Sequence, residues 1–173
     1  MKFNNFVELW RRSIRWMSRS PVTWRLAPTG EVLKKWSLKT AEDTWAWGED
    51  FARNQLRIGE LVLVGGILGA GKTTLAQGIG KGLEVEMRIT SPTFLKLQSY
   101  PGRWTFHHLD LYNVDSIQEL EELGIYDILE PENGVCLVEW WDRFPSLFPR
   151  PHHLIHLEES EDFRVLTYER VEA

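Results

Sequence analysis

The feature that most limits the fold of this chain is a glycine-rich segment at residues 66–73. It has the sequence Gly66-Ile67-Leu68-Gly69-Ala70-Gly71-Lys72-Thr73 and matches G-x-x-x-x-G-K-[S/T] at every specified position. The apolar, β-branched run at 60–65 predicts a buried parallel strand before it, and apolar residues at helical spacing predict a helix after it. A glycine-rich loop between a strand and a helix therefore predicts an α/β fold that binds phosphate groups.

The residue types in this loop explain how a polyanion would bind. Backbone N–H groups of such a loop, and the N-terminus of the helix after it, attract phosphate oxygens. We expect the Lys72 ammonium to reach the β- and γ-phosphates of ATP, and the Thr73 hydroxyl to ligate a Mg²⁺ ion that bridges them. The alternative is a glycine-rich turn that matches by accident, which is uncommon for a pattern with several fixed positions.

Composition limits the class of protein. The 173 residues fit one domain with a substantial core. Cys136 is the one cysteine, so neither a disulfide framework nor a cysteine metal site is expected. No apolar run is as long as a membrane span, and no signal peptide is visible at the N-terminus. We therefore expect a cytoplasmic protein without stable membrane insertion.

Charge divides the chain into two parts. The net charge is -5, but residues 1–35 hold eight Lys or Arg and two Glu, so they carry +6 and the remainder carries -11. The acidic remainder argues against broad, direct nucleic-acid binding by the core domain. Residues 3–19 predict a basic amphipathic helix, which could dock on a membrane or a partner, pack on this protein, or belong to an over-extended start. We assign 1–35 to a basic N-terminal extension and 36–173 to the P-loop domain.

Strands and helices are predicted to follow one another along 36–173. Strands are expected near 36–38, 60–65, 95–100, 104–109, 134–138, 153–157 and 163–170, and helices near 40–54, after the P-loop, and at 115–123 and 126–129. The last two strands are expected to complete an edge of the sheet. The predicted fold is a single three-layer α/β P-loop NTPase domain with a mostly parallel central sheet and antiparallel edge strands, plus the N-terminal helical extension.

Two acidic residues end predicted strands. Glu139 follows the wholly apolar run 135–138, and Asp110 follows the more polar run 106–109. Ligand crevices of open α/β sheets lie at such strand ends, and ATP hydrolysis needs a carboxylate that holds Mg²⁺ or orients water. Glu139 is favoured for the metal-linked role and Asp110 for another role in the site, although Asp110 could instead cap a turn.

Several separated motifs together resemble the TsaE family. In chain order they are Leu68-Gly69-Ala70-Gly71-Lys72-Thr73-Thr74, Ser91-Pro92-Thr93-Phe94, His108-Leu109-Asp110-Leu111-Tyr112, Glu119-Leu120-Glu121 with Leu123-Gly124, and Val138-Glu139-Trp140. The resemblance covers about residues 36–170. It implies a bacterial P-loop ATPase of tRNA threonylcarbamoyladenosine biosynthesis that partners TsaB and TsaD and reaches tRNA through them. TsaD performs the transfer in that system, and the ATP cycle of TsaE is thought to reset the complex.

The resemblance also implies roles for individual residues. Lys72, Asp110 and Glu139 would serve hydrolysis, with Thr73 and Glu139 as Mg²⁺ ligands, and residues 91–94 would sense the γ-phosphate. The nucleotide would lie against Thr40, Ala41, Leu68, Gly69, Ala70, Gly71, Lys72, Thr73, Thr74 and Trp140, with Thr40 and Ala41 near the adenine.

Three positions depart from the family pattern. The family commonly has Asp at Ile67, Arg at Asn113 and Pro at Trp141. Phosphate binding should survive these changes, whereas the turnover rate could differ. Two other classes stay open: a P-loop small-molecule or nucleoside kinase, although no arginine-rich lid is visible after Lys72, and a nucleotide-dependent binding module.

Other polar residues are interpreted as structural. His152, His153 and His156 suggest a metal site, but adjacent strand residues point to opposite faces and no Cys or Asp completes a ligand set nearby. The same alternation allows only one of His107 and His108 to face the site. Arg164 could reach the nucleotide or a partner, but an exposed strand arginine is the simpler expectation.

Overall fold

The computed structural model describes residues 34–148 and 151–172, so the predicted helix at 3–19 lies outside it. Seven strands are present: β1 Lys34–Leu38, β2 Leu61–Gly65, β3 Leu97–Tyr100, β4 Thr105–Asp110, β5 Gly134–Glu139, β6 His152–Glu159 and β7 Arg164–Val171. The helices are α1 Ala41–Asn54, α2 Lys72–Gly82, α3 Ile117–Glu122 and α4 Ile125–Leu129, followed by a 3-10 turn at Trp141–Arg143. Every predicted strand and every predicted helix of the described residues is confirmed, within a few residues at its ends.

The strands form one sheet in the order β1-β7-β6-β2-β5-β4-β3. The four central strands β6, β2, β5 and β4 run parallel, whereas β1, β7 and β3 pair antiparallel at the edges. The predicted fold class is therefore confirmed. The expectation that the last two strands complete an edge is wrong, because β1 is the edge strand and β7 lies between it and the more central β6. This strand pairs in parallel with β2 at the centre and is largely buried, which its apolar residues Leu154, Ile155 and Leu157 explain.

Alternate residues of the central strands enter two cores on opposite faces of the sheet. On β2, Val62 and Val64 pack with α1 and α2 on one face, and Leu61 and Leu63 pack with α3 and α4 on the other. This alternation follows from the two-residue period of a strand. The result is the predicted three-layer arrangement.

Local sequence explains how α1 begins and how closely it approaches α2. Thr40 caps α1, because its side chain accepts a hydrogen bond from the Asp43 N–H while the Asp43 carboxylate accepts one from the Thr40 N–H. On α2, a Cβ added at Gly78 would lie 2.1 Å from the Trp45 carbonyl oxygen. The absence of a side chain at Gly78 therefore brings α1 onto the helix that follows the P-loop.

Helices α3 and α4 are short, and Gly124 between them has a left-handed conformation with φ of 72°. Within the described ranges, no helix is both long and apolar enough to cross a membrane.

Candidate functional site

The parallel strands bring the P-loop and both acidic strand ends to one edge of the sheet. Glu139 at the end of β5 pairs with Val64 of β2 on one side and with Asp110 of β4 on the other. The P-loop leaves β2 directly after Gly65. Since parallel strands end at the same edge, the loop and the two carboxylates lie together at the position where open α/β sheets bind ligands.

The backbone of the P-loop needs glycine at its entrance. Gly66 has φ of 138°, and a Cβ there would lie 2.5 Å from the Leu157 carbonyl oxygen. A side chain at this position would therefore meet both an unfavourable backbone conformation and a neighbouring strand. The requirement comes from β6, which passes directly beside the loop.

The Lys72 side chain is buried and folds back onto the first residues of the P-loop. Its Nζ donates hydrogen bonds of 2.9 Å to the carbonyl oxygens of Gly66 and Ile67 and lies 4.4 Å from the centre of the Trp140 ring. Burial lowers the pKa of Lys72, and the nearby carboxylates of Glu139, Asp110 and Asp142 oppose that shift. The ammonium is therefore a desolvated cation with acceptors on several sides, a setting that favours an anionic ligand.

Trp140 adopts a backbone conformation that is unusual for a large side chain. It follows Glu139 directly and has φ of 57° and ψ of 31°, in the left-handed region. Its ring also packs against Tyr112, with 5.0 Å between ring centres. Strained residues concentrate at functional sites, and here the strained turn places the indole over Lys72.

Asp110 is a buried carboxylate with several hydrogen-bond donors. Its Oδ2 accepts hydrogen bonds from the hydroxyls of Thr93 at 2.6 Å and Ser91 at 3.3 Å, and its Oδ1 accepts one from the Tyr112 N–H at 2.9 Å. The Ser91 and Thr93 oxygens are also 2.6 Å apart, so the single Ser91 hydrogen is shared between Thr93 and Asp110 while Thr93 donates to Asp110. Asp110 therefore holds the Ser-Pro-Thr segment against the end of β4.

Glu139 is equally buried but has a different partner. Its Oε1 lies 2.8 Å from Nε2 of His108, whose side chain is fully buried. Of the two histidines on β4, His108 is thus the one that faces the site, while Nδ1 of His107 bonds to Ser99 at 2.8 Å on the other face. Sequence alternation predicted that only one would face the site, and this is confirmed.

These groups line a cleft of about 290 Å³. Among the expected site residues, Leu68, Gly69, Gly71, Lys72, Thr73, Thr74, Asp110, Glu139 and Trp140 line it, together with Ser91, Thr93 and Tyr112. Ala70 is buried beneath the loop, and the exposed residues Thr40 and Ala41 are outside the lining. A second cleft, of about 230 Å³ near Trp45 and Lys81, contains neither the loop nor the strand-end carboxylates.

Arg164 corrects one sequence-based expectation. It is half-buried rather than exposed. The reason is that β7 begins opposite the last residue of β6, at the carboxyl end of the parallel strands, where the P-loop lies. A Cβ added at Gly71 would lie 3.3 Å from its Nε, and within the described residues this buried Nε has no hydrogen-bond partner. An unsatisfied guanidinium N–H beside a P-loop fits an anionic ligand. A single arginine after a turn gave no such signal in the sequence.

The remaining histidines fit the structural interpretation. His153 lies near the other end of the sheet, where its Nε2 is 2.9 Å from Glu60 Oε2 and its Nδ1 is 3.0 Å from the Tyr168 hydroxyl. Residues 34–148 and 151–172 contain no group of three or more His, Cys, Asp or Glu side chains arranged to hold a metal ion.

The three departures from the family pattern lie in different surroundings. Ile67 is 62% exposed at the tip of the P-loop, and Asn113 is also exposed. Trp141 is buried in the core below α3 and α4, where it packs edge-on against Phe148. None of the three lines the cleft.

Comparison with known proteins gives a consistent set of relatives. The family model for the threonylcarbamoyl adenosine biosynthesis protein TsaE matches residues 38–166. A tRNA threonylcarbamoyladenosine biosynthesis protein TsaE from Treponema pallidum is 38% identical over 111 residues, which cover 64% of this chain and 81% of the relative. Its counterpart from Synechocystis is 41% identical over 105 residues, covering 58% and 66%. The crystal structure of Bacillus subtilis YdiB superposes with a TM-score of 0.64 at 26% identity, covering 82% of this chain and 88% of that chain.

Proposed function

The chain belongs to the TsaE family of tRNA threonylcarbamoyladenosine biosynthesis, and we propose that it acts there as a Mg²⁺-dependent ATPase. In this proposal it works with TsaB and TsaD and drives or resets their cycle between turnovers. The observation that carries the proposal is one buried lysine at a P-loop beside two buried carboxylates on neighbouring strand ends. Phosphoryl chemistry depends on such a combination of phosphate binding and positioned charge.

The P-loop residues that line the cleft would bind the phosphates. Lys72 would exchange the two carbonyl oxygens that it contacts for phosphate oxygens, which are stronger acceptors because they carry charge. Arg164 offers a second cation beside Gly71. Thr40 and Ala41 remain candidates to contact the adenine of the nucleotide, since α1 begins near the P-loop. Thr44, one turn further along α1, has its methyl carbon 3.9 Å from the position that a Cβ would take at Gly71.

Thr73 and Glu139 are the residues that would hold Mg²⁺, which would neutralise part of the phosphate charge. Both line the cleft. Mg²⁺ is commonly coordinated by several waters, by substrate phosphates and by only one or two protein side chains. One hydroxyl and one carboxylate are therefore enough protein ligands.

Asp110 would assist hydrolysis by orienting the attacking water. Its carboxylate is already tied to Ser91 and Thr93, so a change at the γ-phosphate that moved these hydroxyls would also move Asp110. This link is the basis for proposing that residues 91–94 sense whether ATP or ADP is bound. Trp140, which covers Lys72, would lie close to the nucleotide.

A role in tRNA modification implies that the protein acts in the cytoplasm and meets tRNA through its partners. Low activity without TsaB and TsaD is expected, because an ATPase that serves a partner's cycle gains nothing from uncoupled hydrolysis. The acidic charge of residues 36–173 agrees with indirect rather than direct contact with tRNA.

The proposal can be tested by co-purification of the full chain with TsaB and TsaD in Mg-ATP and in Mg-ADP. We expect association that differs between the two nucleotides, together with phosphate release that increases when both partners are added. Lys81→Ala, an exposed change at the far end of α2, serves as a control that should behave as the wild type. Transfer of phosphate to a small acceptor by the protein alone would contradict the proposal and favour a kinase.

A further inference from the structure

The two carboxylates of the cleft are held in different ways. Asp110 accepts hydrogen bonds from two hydroxyls and one backbone N–H. The Glu139 side chain has one hydrogen bond within the described residues, the bond between its Oε1 and His108 Nε2. The orientation of Glu139 therefore depends on a single neighbouring side chain.

His108 is firmly placed for this task. Its side chain has no solvent exposure, and its ring stacks on Phe106 with 6.0 Å between ring centres and 19° between planes. It precedes Asp110 by two residues on β4, so the two side chains share a face of the sheet. Because both side chains are buried, the local dielectric constant is low and the hydrogen bond is stronger than at a surface.

The other ring nitrogen shows that His108 does more than fill space. A carboxylate only accepts hydrogen bonds, so Nε2 must carry the hydrogen. Nδ1 is then buried, and none of the described residues provides it with a partner. An unsatisfied buried polar atom is unfavourable, and Leu or Phe would fill the same volume without it. The benefit that offsets this is the donor that His108 gives to Glu139.

We propose that His108 is the positioning residue for Glu139, and that its Nε2–H group sets how tightly the nucleotide-bound site takes Mg²⁺. The bond fixes Oε1 and leaves Oε2, which makes no hydrogen bond within the described residues, available to a cation. Hydrogen-bond partners of metal-binding side chains commonly change metal affinity by about 10- to 100-fold when they are removed. The inference rests on the proposed function, since it assumes that Glu139 is a Mg²⁺ ligand.

The test compares Mg²⁺ affinity in variants of the full chain. Calorimetric titrations with ADP at a series of MgCl₂ concentrations give the Mg²⁺ concentration at which half of the gain in ADP affinity is reached. We expect His108→Leu to raise that concentration by about tenfold or more while ADP affinity without Mg²⁺ stays unchanged. His108→Gln, whose amide nitrogen can reach the place of Nε2, should restore most of the loss.

The chain offers a matched control on β6, in the same register row of the sheet as His108 but separated from it by β5 and β2. His153 is also buried and also contacts a glutamate, Glu60, at 2.9 Å. His153→Leu removes the same kind of contact away from the cleft, so it should lower thermal stability without changing the Mg²⁺ dependence. An equal Mg²⁺ effect in both leucine variants would overturn the proposal.

A double-mutant cycle separates action through Glu139 from a general change in the cleft. If His108 acts through Glu139, then His108→Leu should add nothing to the Mg²⁺ defect of Glu139→Gln. Additive defects would overturn the proposal. Should His108→Leu fail to fold, His108→Asn replaces it, since the shorter amide cannot reach Glu139 and is expected to show the same defect.

Nuclear magnetic resonance of ¹⁵N-labelled histidine gives a readout in the metal-free protein. The His108 ring should carry its hydrogen on Nε2, and the Nδ1–H tautomer would contradict the proposal. Failure of the proposed function has a different signature. If ADP binding by the wild type does not depend on Mg²⁺, or if Glu139→Gln does not change that dependence, then Glu139 is not a Mg²⁺ ligand and the proposed function is contradicted. If Glu139→Gln weakens Mg²⁺ binding but His108→Leu does not, only the inference about His108 is overturned.

Discussion

At the scale of single residues, Lys72 has the most informative surroundings. Its ammonium is held by two carbonyl oxygens of its own loop and covered by the Trp140 ring. Burial lowers its pKa, which means that the cation lacks some of the solvation it would have in water. A triphosphate would supply charged acceptors in place of neutral ones. The interaction of Lys72 with its surroundings would therefore become more favourable when a triphosphate binds.

Lys72→Ala is expected to weaken ATP binding by about 100-fold or more, because it removes the central cation of the phosphate site. The fold should remain, since Ala is a good helix former at the first position of α2. Calorimetry with Mg-ATP measures the affinity, and thermal unfolding checks the fold. Lys81→Ala on the last turn of the same helix is the matched control. Equal ATP affinity in both variants would mean that Lys72 does not bind the phosphates.

Glu139→Ala is expected to separate binding from hydrolysis. P-loop contacts to the phosphates remain, so nucleotide binding should persist, whereas phosphate release should fall below detection without the carboxylate. Phosphate release under single-turnover conditions is the measurement. Unchanged hydrolysis would transfer the metal-linked role to Asp110, the neighbouring strand-end carboxylate.

The sequence was sufficient to predict site residues that stand at the end of a predicted strand. It was insufficient to predict contacts that depend on which strands pair with each other. Glu139 and Asp110 could be predicted because each ends a predicted strand. Arg164 could not, because its place beside Gly71 depends on the pairing of β7 with β6. The partner of His108 was hidden for the same reason, since it lies 31 residues along the chain. Pairing between strands is a tertiary property that periodicity does not encode.

At the scale of elements, segment 91–96 is attached to the end of β4 at several points. The Asp110 N–H donates to the Lys96 carbonyl oxygen at 2.8 Å, and the Asp110 carboxylate accepts from Thr93 and Ser91. Lys96 has a left-handed backbone with φ of 64° and forms an ion pair with Glu119 of α3. The segment thus connects the P-loop cleft to the outer helix α3.

Thr93→Val is expected to lower ATP turnover by about tenfold, because it removes a hydrogen bond to a charged acceptor. ADP affinity should stay unchanged, since the P-loop is untouched. Phosphate release and ADP calorimetry measure the two quantities. Thr90→Val changes an exposed threonine three residues away that has no side-chain contact with Asp110, so it should have no effect. Equal turnover in both variants would rule out a role for the Thr93 hydroxyl.

Element boundaries show where local signals were strong. Thr40 and Asp43 marked the start of α1, and their mutual hydrogen bonds are present. Helix α3 begins later than predicted, at Ile117, because Ser116 caps it by accepting a hydrogen bond from the Glu119 N–H. Asp115, where the prediction began, instead donates its N–H to the Glu119 carboxylate. Asp and Ser are both favourable N-cap residues, so the sequence pattern alone could not decide whether Asp115 or Ser116 caps the helix.

At the scale of the whole molecule, the sheet has a different polar cluster at each end. The P-loop cleft lies at the carboxyl ends of the parallel strands. Near the other end, Glu60 contacts His153 and forms an ion pair with Arg170 at 2.8 Å. Burial would raise the pKa of Glu60, but the hydrogen bonds from His153 and the Arg57 N–H and the charge of Arg170 lower it to about 2. This cluster therefore ties the start of β2 to β6 and β7.

The lowered pKa of Glu60 predicts part of the acid sensitivity of the fold. The unfolded chain binds the proton near the ordinary pKa of 4.5 and the folded chain only near 2. The stabilisation is therefore fully present above pH 4.5 and is lost as the pH falls towards 2. It is on the order of 2 kcal/mol, less than the whole shift implies, because water reaches part of the side chain.

Urea unfolding at pH 7 and pH 3 measures this contribution. The stability difference between the wild type and Glu60→Gln should be larger at pH 7 than at pH 3. Glu172→Gln removes a more exposed carboxylate that contacts the same arginine at 3.5 Å, and it should change stability little at either pH. A Glu60→Gln difference that is the same at both pH values would show that Glu60 is not held charged by this cluster.

We propose that ATP turnover in this cleft serves the modification of tRNA by partner proteins. The most direct test of this proposal is a reconstituted reaction with TsaB, TsaD, a threonylcarbamoyl donor and a tRNA that reads codons beginning with A. The number of modified tRNA molecules per complex is counted for the wild type and for Lys72→Ala. We expect many turnovers with the wild type and about one with the variant, because Lys72→Ala removes a phosphate-binding group without loss of the fold. Equal multiple-turnover modification with Lys72→Ala would contradict it.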